Sequence, residues 1–170
     1  PVVAAAVILP PRMRLPQLND SKQVSAKQRE ILYDIIREKA LGYAIAEVDN
    51  TRIDEINILQ ATYEAMHIAL DQLAIRPEHI LVDGNRFRPY PTIPHTCIIK
   101  GDSKLKSIAA ASILAKVYRD RLMCEQGKTY PAYTWEQNAG YPTRAHRAAI
   151  AEIGPCPLHR MSFRLLAEEG

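Results

Sequence analysis

Apolar and polar residues alternate along the chain with two periods, one typical of buried strands and one of amphipathic helices. Residues 2–9 (VVAAAVIL) form a continuous apolar run and predict a buried strand. Ser25 can cap a helix over residues 26–40, where leucine and isoleucine recur at helical spacing. The same patterns predict further strands at 43–48, 79–83 and 96–100, and further helices from 50 or 51 to 73 and over 105–123.

This alternation of strands and helices indicates an α/β fold with a central sheet flanked by helices. The first two strands are separated by a helix-length segment, so at least part of the sheet should be parallel. We interpret residues 1–170 as one domain, in which 125–170 form a C-terminal extension of short helices and loops. Prolines interrupt that extension at positions 131, 142, 155 and 157.

The composition excludes several classes of protein. With 170 residues, 47% hydrophobic and 24% charged, the chain has the make-up of an ordinary globular domain with one core. No apolar run approaches the roughly 20 residues of a membrane span, and the apolar start lacks the basic segment of a signal peptide. Cys97, Cys124 and Cys156 are widely spaced and odd in number, which favours reduced thiols in a cytoplasmic protein.

The positive charge is unevenly distributed. A net charge of +3 permits a polyanionic partner without requiring one. Beyond residue 140, cations meet few acids before the last residues, a pattern typical of either a nucleic-acid contact or a solvated helix face. His146 and His159 lie among these arginines and are candidates to touch phosphate. The cations are Arg144, Arg147, Arg160 and Arg164.

Two acidic residues stand at the ends of neighbouring predicted strands. Asp83 ends the strand in ILVDGN, and Asp102 follows the next strand in IIKGDSK. Functional groups in open α/β sheets lie beyond the carboxyl ends of strands, so the two carboxylates should lie close together and bind a cation such as Mg²⁺ or Mn²⁺. The alternatives are an ordinary Asp-Gly turn at Asp83 and an N-cap of the long helix at Asp102.

Other catalytic classes lack their motifs. No GxGxxG or GxxxxGK[ST] follows a predicted strand, which argues against dinucleotide and P-loop sites. No GxSxG supports a serine hydrolase. An α/β domain that binds small nucleotides is disfavoured for the same reason, since no glycine-rich loop is present to cradle phosphate.

Seven sequence blocks occur together in one order: LNDSK (18–22), IDEINILQAT (53–62), LVDGN (81–85), KGDSK (100–104), SIAAASILAKVYRDRLM (107–123), GYPT (140–143) and HRMSF (159–163). In identity, order and spacing they resemble bacterial ribonuclease HII over essentially the whole chain. The resemblance implies a ribonuclease H-like fold, with a mixed central sheet flanked by helices and a helical C-terminal segment. It also implies an enzyme that cuts RNA in RNA–DNA hybrids and nicks DNA 5′ of embedded ribonucleotides.

The resemblance further assigns roles to single residues. Family members hold two divalent ions, Mn²⁺ or Mg²⁺, on four carboxylates, and Asp83 and Asp102 match two of them. Tyr141 of GYPT matches the tyrosine that stacks on the sugar beyond the ribonucleotide. Lys22, Ser103 and Lys104 are candidate phosphate contacts. Two roles stay open for His159 and Arg160: closing a basic face over the duplex, or stabilising the fold.

We assign Asp120, about four turns into the long helix, to a structural ion pair and not to a metal. The partners expected are RNA–DNA hybrids and ribonucleotide-containing DNA, with no membrane, and the protein is expected to be a monomer that serves ribonucleotide excision repair.

The resemblance has one departure. The family carries an Asp-Glu pair and a Gly-Arg-Gly turn just before the segment matched by residues 1–9, and this sequence begins after that point. We expect a truncated form of a longer protein. The alternative is a remnant that binds RNA–DNA hybrids without cleaving them.

Overall fold

The structure is a computed structural model that describes residues 1–13, 15 and 24–166. Within these residues the strands form two pairs. Strands β1 (Val2–Ile8) and β2 (Gly42–Val48) pair antiparallel, whereas β3 (Ile80–Asp83) and β4 (His95–Ile98) pair parallel. The α/β fold with strands of mixed direction is therefore confirmed.

Parallel strands are present, but they are β3 and β4 and not the first two strands, for which the sequence predicted them. A helix-length connection between the first two strands was the reason to expect parallel strands, but β1 and β2 run in opposite directions, with Ala5 opposite Ile45. Residues 9–41 connect them and include a helix at 26–39, and a segment of this length can return the chain in either direction. The right-handed crossover rule applies only when the second strand is already parallel to the first.

Helix α1 (Ala26–Lys39) begins where the sequence predicts. The Ser25 hydroxyl accepts a hydrogen bond from the backbone N–H of Gln28 at 3.3 Å, and the Ser25 N–H donates to the Gln28 side chain at 3.1 Å. This reciprocal capping box satisfies two amides that the first turn of a helix leaves without partners. The buried side chains Leu32 and Ile36 then pack α1 into the main core.

Helix α2 (Asn50–Asp71) consists of two segments that meet at Asn57. Asn57 has φ 66° and ψ 162°, outside the helical region, and its side chain accepts hydrogen bonds from the N–H groups of Leu59 and Gln60 at 3.0 and 3.2 Å. Asn57 therefore caps the second segment from inside the helix. The first segment has Asp49 as its N-cap, whose carboxylate accepts from the N–H of Arg52 at 2.7 Å.

Helix α3 (Lys106–Thr129) is the centre of the fold. Ala109 and Ala110 are almost fully buried, as expected of a small-residue face, and Ile113, Leu114 and Val117 complete the buried side, which packs on β1 and α1. The helix extends six residues beyond its predicted end at 123. Gly127 does not end it, because Gly127 packs closely against Trp135 and Glu136.

The C-terminal segment builds a smaller core against the end of α3. It contains a 3₁₀ turn at Pro131–Tyr133 and helices α4 (Trp135–Asn138) and α5 (Arg144–Ile153). The buried members of this core are Met123, Tyr133, Trp135, Ile150 and Cys156. Among the helices that the structure describes, none combines the length and the apolarity that crossing a membrane requires.

Candidate active site

The parallel pair β3–β4 brings the two predicted carboxylates to one end of the strands. Asp83 is the last residue of β3 and lies opposite Ile98, the last residue of β4. The pairing continues one step further, since the Gly84 N–H donates to the Ile98 carbonyl at 3.0 Å. The Gly101 N–H then donates to Oδ1 of Asp83 at 2.8 Å. This bond joins the loop that carries Asp102 directly to the carboxylate of Asp83.

The loop from Lys100 to Leu105 is a tight turn built on its own backbone. Lys100 has φ 55°, in the left-handed region, and residues Gly101–Ser103 form one turn of 3₁₀ helix. The N–H groups of Lys104 and Leu105 both donate to the Gly101 carbonyl, at 3.0 and 2.8 Å. The turn therefore fixes the position of Asp102 before α3 begins.

The two aspartates differ in exposure. Asp102 is 5% exposed, whereas Asp83 is exposed at the surface. The alternative reading of Asp102 as the N-cap of α3 is wrong, because Leu105 holds that position and no side chain caps the helix there. The alternative reading of Asp83 as part of an Asp-Gly turn is compatible with the site, since Gly84 does turn the chain with φ 107°.

The donors at these strand ends suit a hard divalent ion. Carboxylate oxygens are preferred by Mg²⁺ and Mn²⁺, and Mg²⁺ commonly binds through one or two carboxylates together with water and substrate phosphate. Within the part of the chain that the structure describes, no group of three or more His, Cys, Asp or Glu side chains could enclose a metal ion. Asp83 and Asp102 could therefore supply only part of the ligand shell of such an ion, with water or substrate completing it.

The predicted phosphate contacts near this site are of two kinds. Ser103 and Lys104 are exposed beside Asp102, and the Ser103 hydroxyl donates to the Lys100 carbonyl at 2.9 Å. Lys22 lies outside the described residues, so its position relative to the carboxylates stays a prediction.

Tyr141 forms a second exposed feature, against the third and fourth turns of α3. Tyr141 is 50% exposed, and the centre of its ring lies 4.8 Å from the guanidinium carbon of Arg119 and 5.7 Å from Nζ of Lys116. Lys116 also binds Asp120, with Nζ 2.8 Å from Oδ1. The assignment of Asp120 to a structural ion pair is confirmed. We call Tyr141, Lys116 and Arg119 together the tyrosine shelf.

Positive charge is crowded behind this shelf. Nη1 of Arg119 is buried and has no hydrogen-bond partner among the described residues. Burial, and after it the charge of Arg119, lowers the pKa of Arg160. A cavity of about 590 Å³ opens here, lined by Tyr141, Arg119, Arg147 and Arg160, and neither candidate carboxylate lines it. Its four arginines, with Arg164 as the fourth, outnumber its two acids, Glu47 and Asp49, so the lining has a positive balance that permits an anionic partner.

The side chains of His146 and His159 are buried and do not lie at the protein surface. They are 5% and 6% exposed and lie inside the aromatic core with Tyr133 and Trp135. The idea that either histidine contacts phosphate is wrong, because burial removes both rings from the surface. For His159, the 3.0 Å contact between its Nδ1 and the Cys156 nitrogen supports the fold-stabilising alternative, which stays a prediction. Burial, and more weakly His146, lowers the pKa of His159.

The HRMSF segment is held against α2 by residues that the sequence did not single out. The carboxylate of Asp54 accepts from the N–H groups of Met161 and Ser162, at 2.8 and 2.9 Å, and from the Ser162 hydroxyl. These hydrogen bonds, that of the hydroxyl first, lower the pKa of Asp54. The Asn50 amide donates to the carbonyls of Pro157 and His159 at 2.8 and 3.0 Å. Only the presence of polar residues in the first turn of α2 could have indicated this role.

The comparisons with known proteins agree with one another. The family model described as Ribonuclease HII matches residues 1–166. Ribonuclease HII of Bacteroides thetaiotaomicron is 58% identical over 167 residues, which cover 98% of this chain and 84% of that protein. Ribonuclease HII of Phocaeicola vulgatus is 56% identical over 168 residues, which cover 99% of this chain and 84% of that protein.

Solved structures show the same likeness at lower sequence identity. Ribonuclease H2 from Pyrococcus horikoshii OT3 aligns with a TM-score of 0.73 at 26% identity, covering 88% of this chain and 78% of that one. RNase HII from Archaeoglobus fulgidus, solved in a complex with PCNA, aligns with a TM-score of 0.69 at 24% identity, covering 92% of this chain and 82% of that one. The second likeness concerns the fold alone.

Proposed function

The chain belongs to the ribonuclease HII family and is therefore a ribonuclease H, and we propose that Asp83 and Asp102 carry its hydrolytic chemistry. The substrates proposed are the RNA strand of RNA–DNA hybrids and ribonucleotides embedded in DNA, cut on their 5′ side. The products would carry a 3′-hydroxyl and a 5′-phosphate. The observation that supports these residues best is the Gly101 N–H bond to Oδ1 of Asp83, because it ties the two strand ends into one rigid unit.

Asp83 and Asp102 would act as a pair with unequal surroundings. The bond from Gly101 engages only one carboxylate oxygen of Asp83, and the side chain is otherwise at the surface, where substrate can approach. Asp102 is buried and anchored in a 3₁₀ turn, so it supplies a fixed negative charge. A fixed geometry of charged groups is what a phosphodiester displacement requires of the protein.

The family depends on divalent metal ions, and we propose that Mn²⁺ or Mg²⁺ binds at these two carboxylates. Two such ions, when bound, would activate a water and stabilise the leaving oxygen. Two neighbouring carboxylates repel each other, and a cation bound between them would offset that repulsion.

The remaining contacts proposed are with the nucleic acid. The exposed ring of Tyr141 would stack on the sugar that follows the ribonucleotide, where the loss of the 2′-hydroxyl marks the junction from RNA to DNA. Ser103 and Lys104, beside Asp102, and Lys22 would bind phosphate. The crowded cations Arg119 and Arg160 support a polyanion on this side of the molecule.

We also propose that the protein acts in the cytoplasm as a monomer. All three cysteines are free thiols, which suits a reducing compartment. The proposed role there is removal of ribonucleotides from DNA.

The test uses Asp83→Asn in the full-length protein, with a DNA duplex that contains one ribonucleotide. The change keeps the shape of the side chain and removes its charge, so Mn²⁺-dependent cleavage should fall by at least about a hundredfold while the melting temperature without metal changes little. Asp34→Asn is the matched control, since Asp34 is an exposed aspartate on α1. Near-normal cleavage by Asp83→Asn would remove Asp83 from the proposal.

A further inference from the structure

A chain of hydrogen bonds runs through the C-terminal core and ends at the backbone of Tyr141. Nε1 of Trp135, which can only donate, lies 3.1 Å from Nε2 of His146. Nε2 of His146 must therefore accept, and its other nitrogen, Nδ1, carries the proton. Nδ1 of His146 lies 3.0 Å from the Tyr141 carbonyl oxygen, so this N–H donates to Tyr141.

His159 is compatible with this assignment of protons. Its Nδ1 lies 3.0 Å from the Cys156 nitrogen and 3.3 Å from the Cys156 carbonyl oxygen, so these two contacts alone fit either tautomer of His159. Nε2 of His159 lies 3.1 Å from Nε2 of His146, which already accepts from Trp135, so a neutral His159 with its proton on Nε2 fits this contact. The Trp135 N–H is the contact that fixes His146, because it can only donate, and it leaves the tautomer in which Nδ1–H points at Tyr141.

The Tyr141 backbone is held at several atoms. Its carbonyl accepts a second bond, from the Thr143 N–H at 2.8 Å, and its own N–H donates to the Asn138 carbonyl at 2.8 Å. Thr143 in turn caps α5, its hydroxyl accepting from the His146 N–H at 3.3 Å. His146 thus lies in the first turn of α5, and that turn is itself fixed, through Thr143, to the loop that carries Tyr141.

We propose that His146 is a positioning residue for Tyr141, acting through the hydrogen bond from its Nδ1–H to the Tyr141 carbonyl. The inference rests on the proposed role of Tyr141 in reading the sugar. Tyr141 is half exposed, so packing holds its side chain only in part, whereas its backbone is tied to the buried core. A ring that is already fixed before substrate binds loses no further conformational freedom on binding, and this favours stacking at the junction.

Two substitutions at His146 separate its two nitrogens. In His146→Asn the side-chain amide lies near the place of Nδ1 and keeps a donor for Tyr141, but loses the partner of Trp135. In His146→Gln the amide oxygen reaches the place of Nε2 and keeps an acceptor for Trp135, but loses the donor to Tyr141. Both replace a buried ring by an amide, so each controls for the loss of packing in the other.

The readout is kcat/KM on a duplex with one embedded ribonucleotide, divided by kcat/KM on a uniform RNA–DNA hybrid. His146→Gln should lower this ratio about tenfold, towards that of Tyr141→Ala, and His146→Asn should retain most of it. Tyr141→Ala keeps the backbone carbonyl, so adding His146→Gln to it should lower the ratio no further. Melting temperatures show whether a loss of activity merely follows a loss of folded protein.

The outcomes separate the positioning role from the proposed function. If Tyr141→Ala leaves the ratio unchanged, Tyr141 does not read the junction, and the positioning role falls with it. If Tyr141→Ala lowers the ratio, either of two results overturns the positioning role alone. In the first, His146→Gln does not change the ratio. In the second, His146→Gln lowers the ratio as much beside Tyr141→Ala as it does in the wild-type protein. Should His146→Gln fail to fold, Trp135→Phe removes the donor that fixes the His146 tautomer, and the ratio should fall there too, again with no effect beside Tyr141→Ala.

Discussion

Replacing Gly101 by alanine should disturb both candidate carboxylates at once. Gly101 lies between β4 and Asp102, and its N–H donates to Oδ1 of Asp83 at 2.8 Å. A methyl carbon added at Gly101 would lie 2.5 Å from Cδ1 and 3.3 Å from Cγ2 of Ile108. Carbon atoms in contact normally lie about 3.5–4.0 Å apart, so a movement of about 1 Å is needed to accommodate the methyl group.

The surroundings of Ile108 determine which group moves. Ile108 is 5% exposed in the first turns of α3, and Ala109 and Ala110 beside it are almost fully buried. A side chain packed in this way has little room to change rotamer, so part of the displacement must pass to the loop of Asp102. Overpacking of this kind costs about 1–3 kcal/mol of stability. A shift of about 1 Å in a catalytic group can lower the rate on the order of a hundredfold.

The measurements are urea unfolding and Mn²⁺-dependent cleavage of Gly101→Ala. We expect a loss of about 1–3 kcal/mol in the free energy of unfolding and a fall in kcat that exceeds the loss of folded protein. Ile108→Val removes the Cδ1 atom that clashes, so the double variant should recover part of both losses and show a coupling of about 0.5–3 kcal/mol. Gly42→Ala is the matched control, because its added carbon would lie 4.0 Å from the nearest side chain, Leu73. If Gly101→Ala were as stable and active as Gly42→Ala, or if Ile108→Val gave no recovery, the steric argument would be refuted.

Three further predictions concern the tyrosine shelf, His159 and Asp54. Tyr141→Ala should lower cleavage at a single embedded ribonucleotide about tenfold to a hundredfold, with a smaller effect on duplex affinity, and Tyr141→Phe should retain most activity in the same assay. Because burial and His146 lower the pKa of His159 in the folded protein, the unfolded chain, with an ordinary pKa of about 6.5, binds more protons below that pH. Stability should therefore be retained above about pH 6.5 and fall as the pH drops below it; melting temperatures between about pH 5 and 7.5 should show this, and His159→Asn should show less of it. Asp54→Asn should lower the melting temperature and expose the HRMSF segment to protease sooner, and unchanged proteolysis would mean that Asp54 does not hold the segment.

The sequence predicts the parts of the fold that depend on local chemistry. The helix over 26–40 begins where a serine and a glutamine three residues later can cap each other, and the structure contains that capping box. The place of Asp83 and Asp102 follows from strand ends, since two consecutive apolar strands that pair parallel must end on one edge. Neither conclusion needs knowledge of distant contacts.

Contacts between distant segments decide the features that the sequence could not predict. The direction of β2 relative to β1 depends on how the long connection returns, and no residue in either strand encodes it. Gly127 weakens the helix locally, by about 1 kcal/mol relative to alanine. The close approach of Trp135 and Glu136 needs a residue without a side chain there, so tertiary packing outweighs the local preference and α3 continues to Thr129.

The two histidines show how a signal can be present and still be misread. His146 lies between Arg144 and Arg147 in sequence, which suggests a basic surface, yet both arginines are exposed while His146 is buried. In a helix the relevant neighbour is four residues away, and His146 shares its face with Ile150, which is also buried. Read at helical spacing, His146 belongs to the core, and a buried imidazole must then have partners for both nitrogens. Trp135, His159 and the Tyr141 carbonyl are those partners. The same burial that removes His146 from contact with phosphate therefore gives it a connection to Tyr141.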